Sequence, residues 1–236
     1  MATTEPVKRK TLNRATIVAA ALARADAEGL EAVTFRRLAA DLGVTPMALY
    51  RHVANKAELL GAAADLAFAE LELPGGLVGS WQEQLRALAH AFRRVLIAHP
   101  GIAHNQWGEV GGMSVGGLAV VEIVLGVLCG AGFSLREAAV LEAELERFVV
   151  ALVVLEIEGA RSEGDESRQS RRRENRARIA ALPPERFARV IEAGDWLCND
   201  PAPRWAFDVA LDLLIGGLEK LLEDPHRRSL QWSAPA

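Results

Sequence analysis

The sequence predicts an all-α fold, and three observations carry that prediction. Apolar residues recur at helical spacing along most of the chain. Ala, Leu, Glu and Arg dominate, whereas aromatic and β-branched runs bounded by turns are scarce. The periodic segments also tend to begin after Ser, Thr or Asn and to stop at glycine or proline, which are helix start and stop signals. With 236 residues, 50% hydrophobic and 25% charged, the chain has length for a substantial core and a globular composition.

The first helix comes from Leu12 to Ala27, where Leu12, Ile17, Ala20, Ala21 and Ala25 share a face, and "EGLEAVT" ends it. Thr34 is an N-cap for a second helix, "FRRLAADL", which Gly43 stops. Thr45 caps a third, with Pro46 at the first helical position, where its missing N–H costs nothing. Asn55 caps a fourth from Lys56 to about Leu73, broken by "PGG" at 74–76. That break is the expected boundary. It leaves a basic arm and small helical domain over 1–56, a linking helix over 56–73, and a larger helical domain over 74–236. Further helices are expected over Trp81–Ala98, near 102–107, over Val115–Gly130 and from Ser134 to about Gly159, where Ser134 and Glu137 spell a capping box. "ARSEGDESRQSRRRENRAR", 160–178, is almost wholly polar with seven arginines and reads as a solvated loop or frayed helix end. A helix near 184–193 and another over Arg204–Leu222 complete the series.

Charge is unevenly spread. The net charge is −4, yet residues 1–56 hold nine Lys/Arg against five Asp/Glu, out of 27 and 31 overall. A basic module therefore sits on an acidic body, a distribution that suits nucleic acid at one end only. The start, "MATTEPVKRKTLNR", has basic residues with no apolar stretch behind them, so it reads as a basic arm and a cytoplasmic location is expected. The apolar stretch 116–133 contains Glu122 and several glycines, so a core helix is expected there and no membrane partner. Cys129 and Cys198 form no metal-type cluster and read as free thiols; neither a metal nor a cofactor is expected.

"TFRRLAADLGVTPMALYRHV" has the layout of a helix-turn-helix. Ala39 supplies the small residue where two helices touch, and Gly43 the turn residue tolerant of positive φ. Val44, Leu49 and Val53 fall on the buried side, leaving Thr45, Pro46, Met47, Tyr50, Arg51 and His52 outward. Groove reading suits that face. An arginine offers paired donors to guanine, Met or Pro can press on thymine methyls, and Thr45, Tyr50 and Lys56 can reach phosphates. "GLEAVTFRRLAADLGVTPMALYRHVANKAELL" resembles the DNA-binding domain of the TetR family of bacterial repressors, through its opening threonine, "LA..LGV", "LY.HV" and "NK..LL". The resemblance implies a homodimer that places two recognition helices in successive major grooves of a palindromic double-stranded operator. Its DNA contacts fall on Thr34, Phe35, Arg36, Thr45, Pro46, Met47, Tyr50, Arg51, His52 and Lys56, although family members often carry a small hydroxyl where Phe35 stands.

"SWQEQLRALAHAFRR", "GFSLRE" and "VVLEIE" are similar to the ligand domain of the tetracycline repressor. That similarity implies a ligand-binding and dimerisation domain in which helices near 134–159 and 204–222 pair with their mates. It also implies a small organic effector in a pocket between helices 60–72, 81–98, 101–107 and 115–130, with Leu66, Leu88, Phe92, His104, Trp107 and Glu156 around it. His104 and Glu156 fall where that repressor approaches a magnesium ion. However, Glu72 and Leu88 replace a histidine and an asparagine that hold the drug, and only Phe92 is kept. A pocket without those donors is not expected to hold the same polar drug, because buried polar groups need partners. The implied function is a ligand-responsive regulator, with repression the family's usual sign. A ligand-independent regulator or an activator stays open. So does one enzyme pattern, because "GMSVG", 112–116, fits the nucleophile elbow of a serine hydrolase. The elbow needs a strand before Ser114 and a histidine after it, but "GIAHNQWGEVG" is no strand and the only later histidine is His226. No enzymatic activity is expected. Glu142 and Glu146, four apart, read as solvated charges.

Overall fold

The computed structural model describes residues 12–73, 75–103, 114–161, 166–198 and 205–224. Among them there is no strand. The helices are α1 (Arg14–Glu28), α2 (Phe35–Leu42), α3 (Pro46–Tyr50), α4 (Lys56–Phe68), α5 (Trp81–Ala98), α6 (Pro100–Ala103), α7 (Val115–Ala131), α8 (Leu135–Arg161), α9 (Glu166–Ala180), α10 (Pro184–Glu192), α11 (Gly194–Leu197) and α12 (Trp205–Glu223). No helix among the described residues is long and apolar enough to cross a membrane.

Side-chain caps set most helix starts. Asn13, Thr34, Asn55, Ser80 and Ser114 each accept a backbone N–H from the first turn of the next helix, which satisfies donors that the helix itself cannot. At α8 the capping box forms as the spelling implies: Ser134 N–H donates to Glu137 Oε2 at 2.8 Å, and Glu137 N–H to Ser134 Oγ at 3.3 Å. Ser80 and Glu83 form another at α5, with Ser80 N–H on Glu83 Oε2 at 2.7 Å.

Several expectations need correction. α4 stops at Phe68, not Leu73. The chain beyond it is held by tertiary partners instead: Arg94 donates to the Glu72 carbonyl at 2.9 Å, and Leu71 and Leu73 pack on the core. The arginine-rich stretch is helical over its described part, because Arg, Glu and Gln are good helix formers even without a core to face. Glu174 and Arg178 pair at 3.0 Å along it, and Arg176 reaches Asp195 of α11 at 2.7 Å, with Ile179 against Gly194. The short α11 had no sequence signal. The helix expected near 102–107 appears as α6, and residues 104–107 lie outside the described ones.

α4 is the hub. Leu59, Leu60, Ala62, Ala63, Ala64, Ala67 and Phe68 are all buried, with α1 packed on it and α7 also against it. α5 packs on α7 and α8, and α12 lies along α5 through His90–Asp208 at 3.0 Å, Gln82–Glu219 at 2.6 Å and the Arg86–Asp212 pair.

α6 ties the larger body to α1. A Cβ on Gly101 would sit 2.3 Å from the carbonyl carbon and oxygen of Ala25, so only glycine allows this approach. The Gly101 N–H donates to Asp26 Oδ1 at 3.2 Å, while His99 bridges Asp26 at 2.8 Å and Glu70 at 3.2 Å. Burial lowers the His99 pKa, but the hydrogen bonds to Asp26 and Glu70 outweigh it and raise the group above its ordinary value. The two carboxylates thus favour the charged imidazolium between them.

Gly101→Ala should prise α6 off α1 and destabilise the fold by about 1–3 kcal/mol, the range for overpacking. A thermal melt followed by circular dichroism reads this, and an unchanged midpoint would show that the contact is not tight.

Candidate nucleic-acid interface and ligand cavity

The interface starts from a turn. Gly43 has φ 65° and ψ 34°, the left-handed region, and its N–H and that of Val44 return to Ala40 O at 3.2 Å and Ala39 O at 2.9 Å. This double closure stops α2 and sends the chain sharply into α3. Ala39 is buried beneath the crossing, and Leu38, Leu49 and Val53 are buried with it. α3 is therefore pinned from below, so its other face is outward.

The side chains on that face are exposed in a graded way. Met47 is 71% and Tyr50 49% exposed, Thr45, Pro46 and Arg51 are exposed, and His52 and Lys56 are half-buried. The Thr45 hydroxyl makes no capping bond to α3, while the Thr34 hydroxyl accepts the Arg37 N–H at 3.3 Å. Neither Arg36 nor Arg51 makes an ion pair among the described residues. Other basic groups nearby are spoken for: Arg24 chelates Asp41 at 2.6–2.8 Å and reaches Glu28 at 2.6 Å, Arg37 joins Glu28 at 2.7 Å, and Arg14 joins Glu58 at 3.2 Å. The Ala54 N–H, then Arg14, hold the Glu58 carboxyl below its ordinary range. These pairs brace the three-helix frame and leave Arg36 and Arg51 as uncompensated positive charge.

One feature was not legible as a pair. The Phe35 and Tyr50 rings stack with centroids 4.3 Å apart and planes 3° from parallel. Phe35 is half-buried against Tyr50, so it holds the tyrosine in place across the crossing of α2 and α3. The departure from a small hydroxyl at position 35 was the available signal.

The cavity lies between α5, α7, α8 and α12, with an empty volume of about 600 Å³ counted to its open mouth. Leu88 and Phe92 stand on its wall with Val120 and Val124 of α7, Leu145 of α8 and Leu211 of α12. The placement differs from expectation, since α4 does not line it. Phe68 of α4 stacks on Phe92 with centroids 6.1 Å apart and fills the space on that side. Leu66 is accordingly 39% exposed and off this wall. Glu156 is also off it, accepting from Arg93 Nε at 2.9 Å with Arg93 lying 5.1 Å over the Phe207 ring. His104 and Trp107 lie outside the described residues.

Glu142 and Glu146 are not solvated charges. Both line the cavity, because α8 turns the face bearing 142, 145, 146 and 149 inward. Burial raises the Glu142 pKa. Burial and then the neighbouring Glu142 charge push Glu146 up to about 7. Their spacing with Leu145 and Val149 on one helix face was the signal available in the sequence.

Ser114, the serine of "GMSVG", opens α7. It is buried, and its Oγ accepts the Gly117 N–H at 3.0 Å as the N-cap of α7. Asp65 of α4 reaches the same helix end, accepting the Gly116 N–H at 2.7 Å. A Cβ on Gly116 would lie 3.0 Å from Phe68 Cβ. The start of α7 thus rests directly on α4.

Comparisons with known proteins agree with this architecture. A family model described as "Bacterial regulatory proteins, tetR family" matches residues 17–63, and one described as "Tetracyclin repressor-like, C-terminal domain" matches residues 73–222. Tetracycline repressor protein class C of Escherichia coli is 30% identical over 212 residues, covering 89% of this chain and 92% of that protein. The crystal structure of the Streptomyces coelicolor TetR family protein ActR in complex with actinorhodin has a TM-score of 0.75 at 27% identity, covering 91% of this chain and 100% of that one. BioQ with its natural double-stranded DNA operator has a TM-score of 0.54 at 32% identity, over 63% of this chain and 89% of that one.

The raised Glu146 pKa has a stability consequence. In the fold this carboxyl binds a proton more tightly than in the unfolded chain, so stability falls as pH rises from about 4.5 through about 7. Glu146→Gln removes that loss. Its melting temperature should exceed that of the native chain at pH 8 and match it near pH 4.5, and a pH-independent difference would contradict the assignment.

Proposed function

The chain belongs to the TetR family of bacterial transcriptional regulators, and we propose that it is a homodimeric repressor of a palindromic operator, released by a small organic effector. The observation that carries this reading is the outward face of α3, clear of its own fold and flanked by arginines without ion-pair partners among the described residues. BioQ is a structural neighbour solved with its operator, and ActR one solved with a small molecule. On this reading residues 1–56 are the arm and DNA-binding domain, and 74–236 the effector and dimerisation domain. Met47 and Pro46 meet base edges, Arg51 reads a guanine, and Thr34, Arg36, Thr45, Tyr50, His52 and Lys56 hold the backbone, with Phe35 supporting Tyr50.

A second copy covers the outer faces of α8 and α12. Leu155, Val209 and Leu213 are 60%, 46% and 74% exposed there, a display of hydrocarbon that suits a helix-on-helix interface.

Release is a population shift. An effector wedged between α5, α7 and α8 moves α7, whose first turn is bonded to Asp65 and packed on Phe68. α4 then carries the movement to α3, which precedes it directly in the DNA-binding domain. Operator affinity falls only by the difference in effector affinity between the two dimer arrangements.

Electrophoretic mobility shift on the neighbouring promoter fragment carrying an inverted repeat tests the interface. Arg51→Ala should cost about 1–3 kcal/mol and relax discrimination at one base pair. Lys56→Ala should weaken all sequences alike and lower the salt dependence by about one contact. Unchanged binding by both variants would refute the recognition face. Deletion of the gene should raise expression from that promoter, and a fall would make the protein an activator.

A further inference from the structure

If the cavity is the effector site, on which this inference rests, its wall narrows the chemistry of the occupant. That wall is hydrocarbon or backbone except for two side chains, Glu142 and Glu146, one turn apart on α8. No lysine, arginine or histidine lines it among the described residues. Glu146 Oε1 is shut off from solvent and has no hydrogen-bond partner among the described residues. Arg147, the neighbouring cation on α8, pairs with Glu144, and its charge offsets only part of the upward push on Glu142 and Glu146. The protein thus leaves an acceptor unmet at the polar end of an apolar chamber, beside a second carboxyl of the same sign.

We propose that the effector is an apolar ring system bearing a protonated amine, with its ammonium group seated between Glu142 and Glu146.

Three physical arguments favour that class. A buried carboxylate oxygen without a donor is costly, and an ammonium supplies several donors at once. Two carboxyls one helical turn apart repel when both ionise, and a cation between them turns that repulsion into attraction. An anionic ligand would add a third negative charge to the chamber, so the acidic pair also rejects the wrong partner. Burial, joined at Glu146 by the Glu142 charge, raises both carboxyl pKa values, and such a ligand relieves that cost.

The test uses the full chain at pH 8 and three probes that share one ring system: 1-naphthylmethylamine, 1-naphthalenemethanol and 1-naphthoate. Calorimetric titration should show the amine binding at least tenfold more tightly than the alcohol, and the carboxylate most weakly. In Glu146→Gln the preference for the amine should fall below about twofold, with a smaller loss in Glu142→Gln. Both substitutions keep side-chain volume and remove charge, and a thermal melt of each confirms folding. Equal binding of amine and alcohol by the native chain overturns the proposal while leaving the cavity a ligand site. An amine preference that survives in both variants places the cation elsewhere and overturns it too. Failure of all three probes to bind counts against the cavity as the effector site, and this inference falls with it.

Discussion

Close packing of small side chains around α4 is the constraint on which everything else depends. Ala62, Ala63, Ala64 and Ala67 are buried together, which lets α1 and α7 approach the same short helix. A helix covered on more than one side has no soft direction in which to absorb a displacement, since packed interiors resist compression. The Asp65 bond to the first turn of α7 and the fit of Gly116 against Phe68 add specific attachments to that general tightness. The Gly101 contact fixes α6 to α1 by a separate route. The two ends of the molecule are therefore joined by backbone-level contacts, a condition for one site to report on the other.

Most of the architecture was legible because its signals are local. Thr34, Pro46, Asn55 and Ser134 mark helix starts whatever surrounds them, and Gly43 marks the turn by its φ. Both α2 and α5 emerge with the bounds that their sequences spell. What escaped were properties that exist only after packing. The end of α4 is decided by Arg94 and the core beneath Leu71, not by a breaker in the sequence. The polar α9 looked like a loop because hydrophobic periodicity says nothing about a helix that buries almost no face. Of the expected pocket residues, Leu88 and Phe92 reached the wall because the bounds and inward face of α5 are plain in its periodicity. Leu66 did not, because Phe68 stacking on Phe92 closes that side. By residue type Glu142 and Glu146 read as solvated charges, whereas the helix face they share with Leu145 decides their environment.

On the proposed reading of the cavity, function and stability pull against each other in the larger domain. An apolar chamber with two half-buried carboxyls is a poor core by any packing criterion, and a leucine at either position would improve it. Arg93, close by on α5, shows the alternative arrangement, with Glu156 and the Phe207 ring both meeting its guanidinium. Polar groups of one domain are satisfied in one place and left open in another. Such local departures are where a fold leaves its own optimum for the sake of a task.

The stacked Phe35 and Tyr50 rings have a further meaning for how such regulators diversify. A recognition helix is often pictured as a cassette, exchangeable between relatives to redirect them to another promoter. Here Tyr50 of the proposed reading surface is anchored by the Phe35 ring on the preceding helix, so α3 transplanted alone would arrive without that support. On the proposed reading, a change of operator preference that moves Tyr50 must also accommodate Phe35 on the other side of the Gly43 turn.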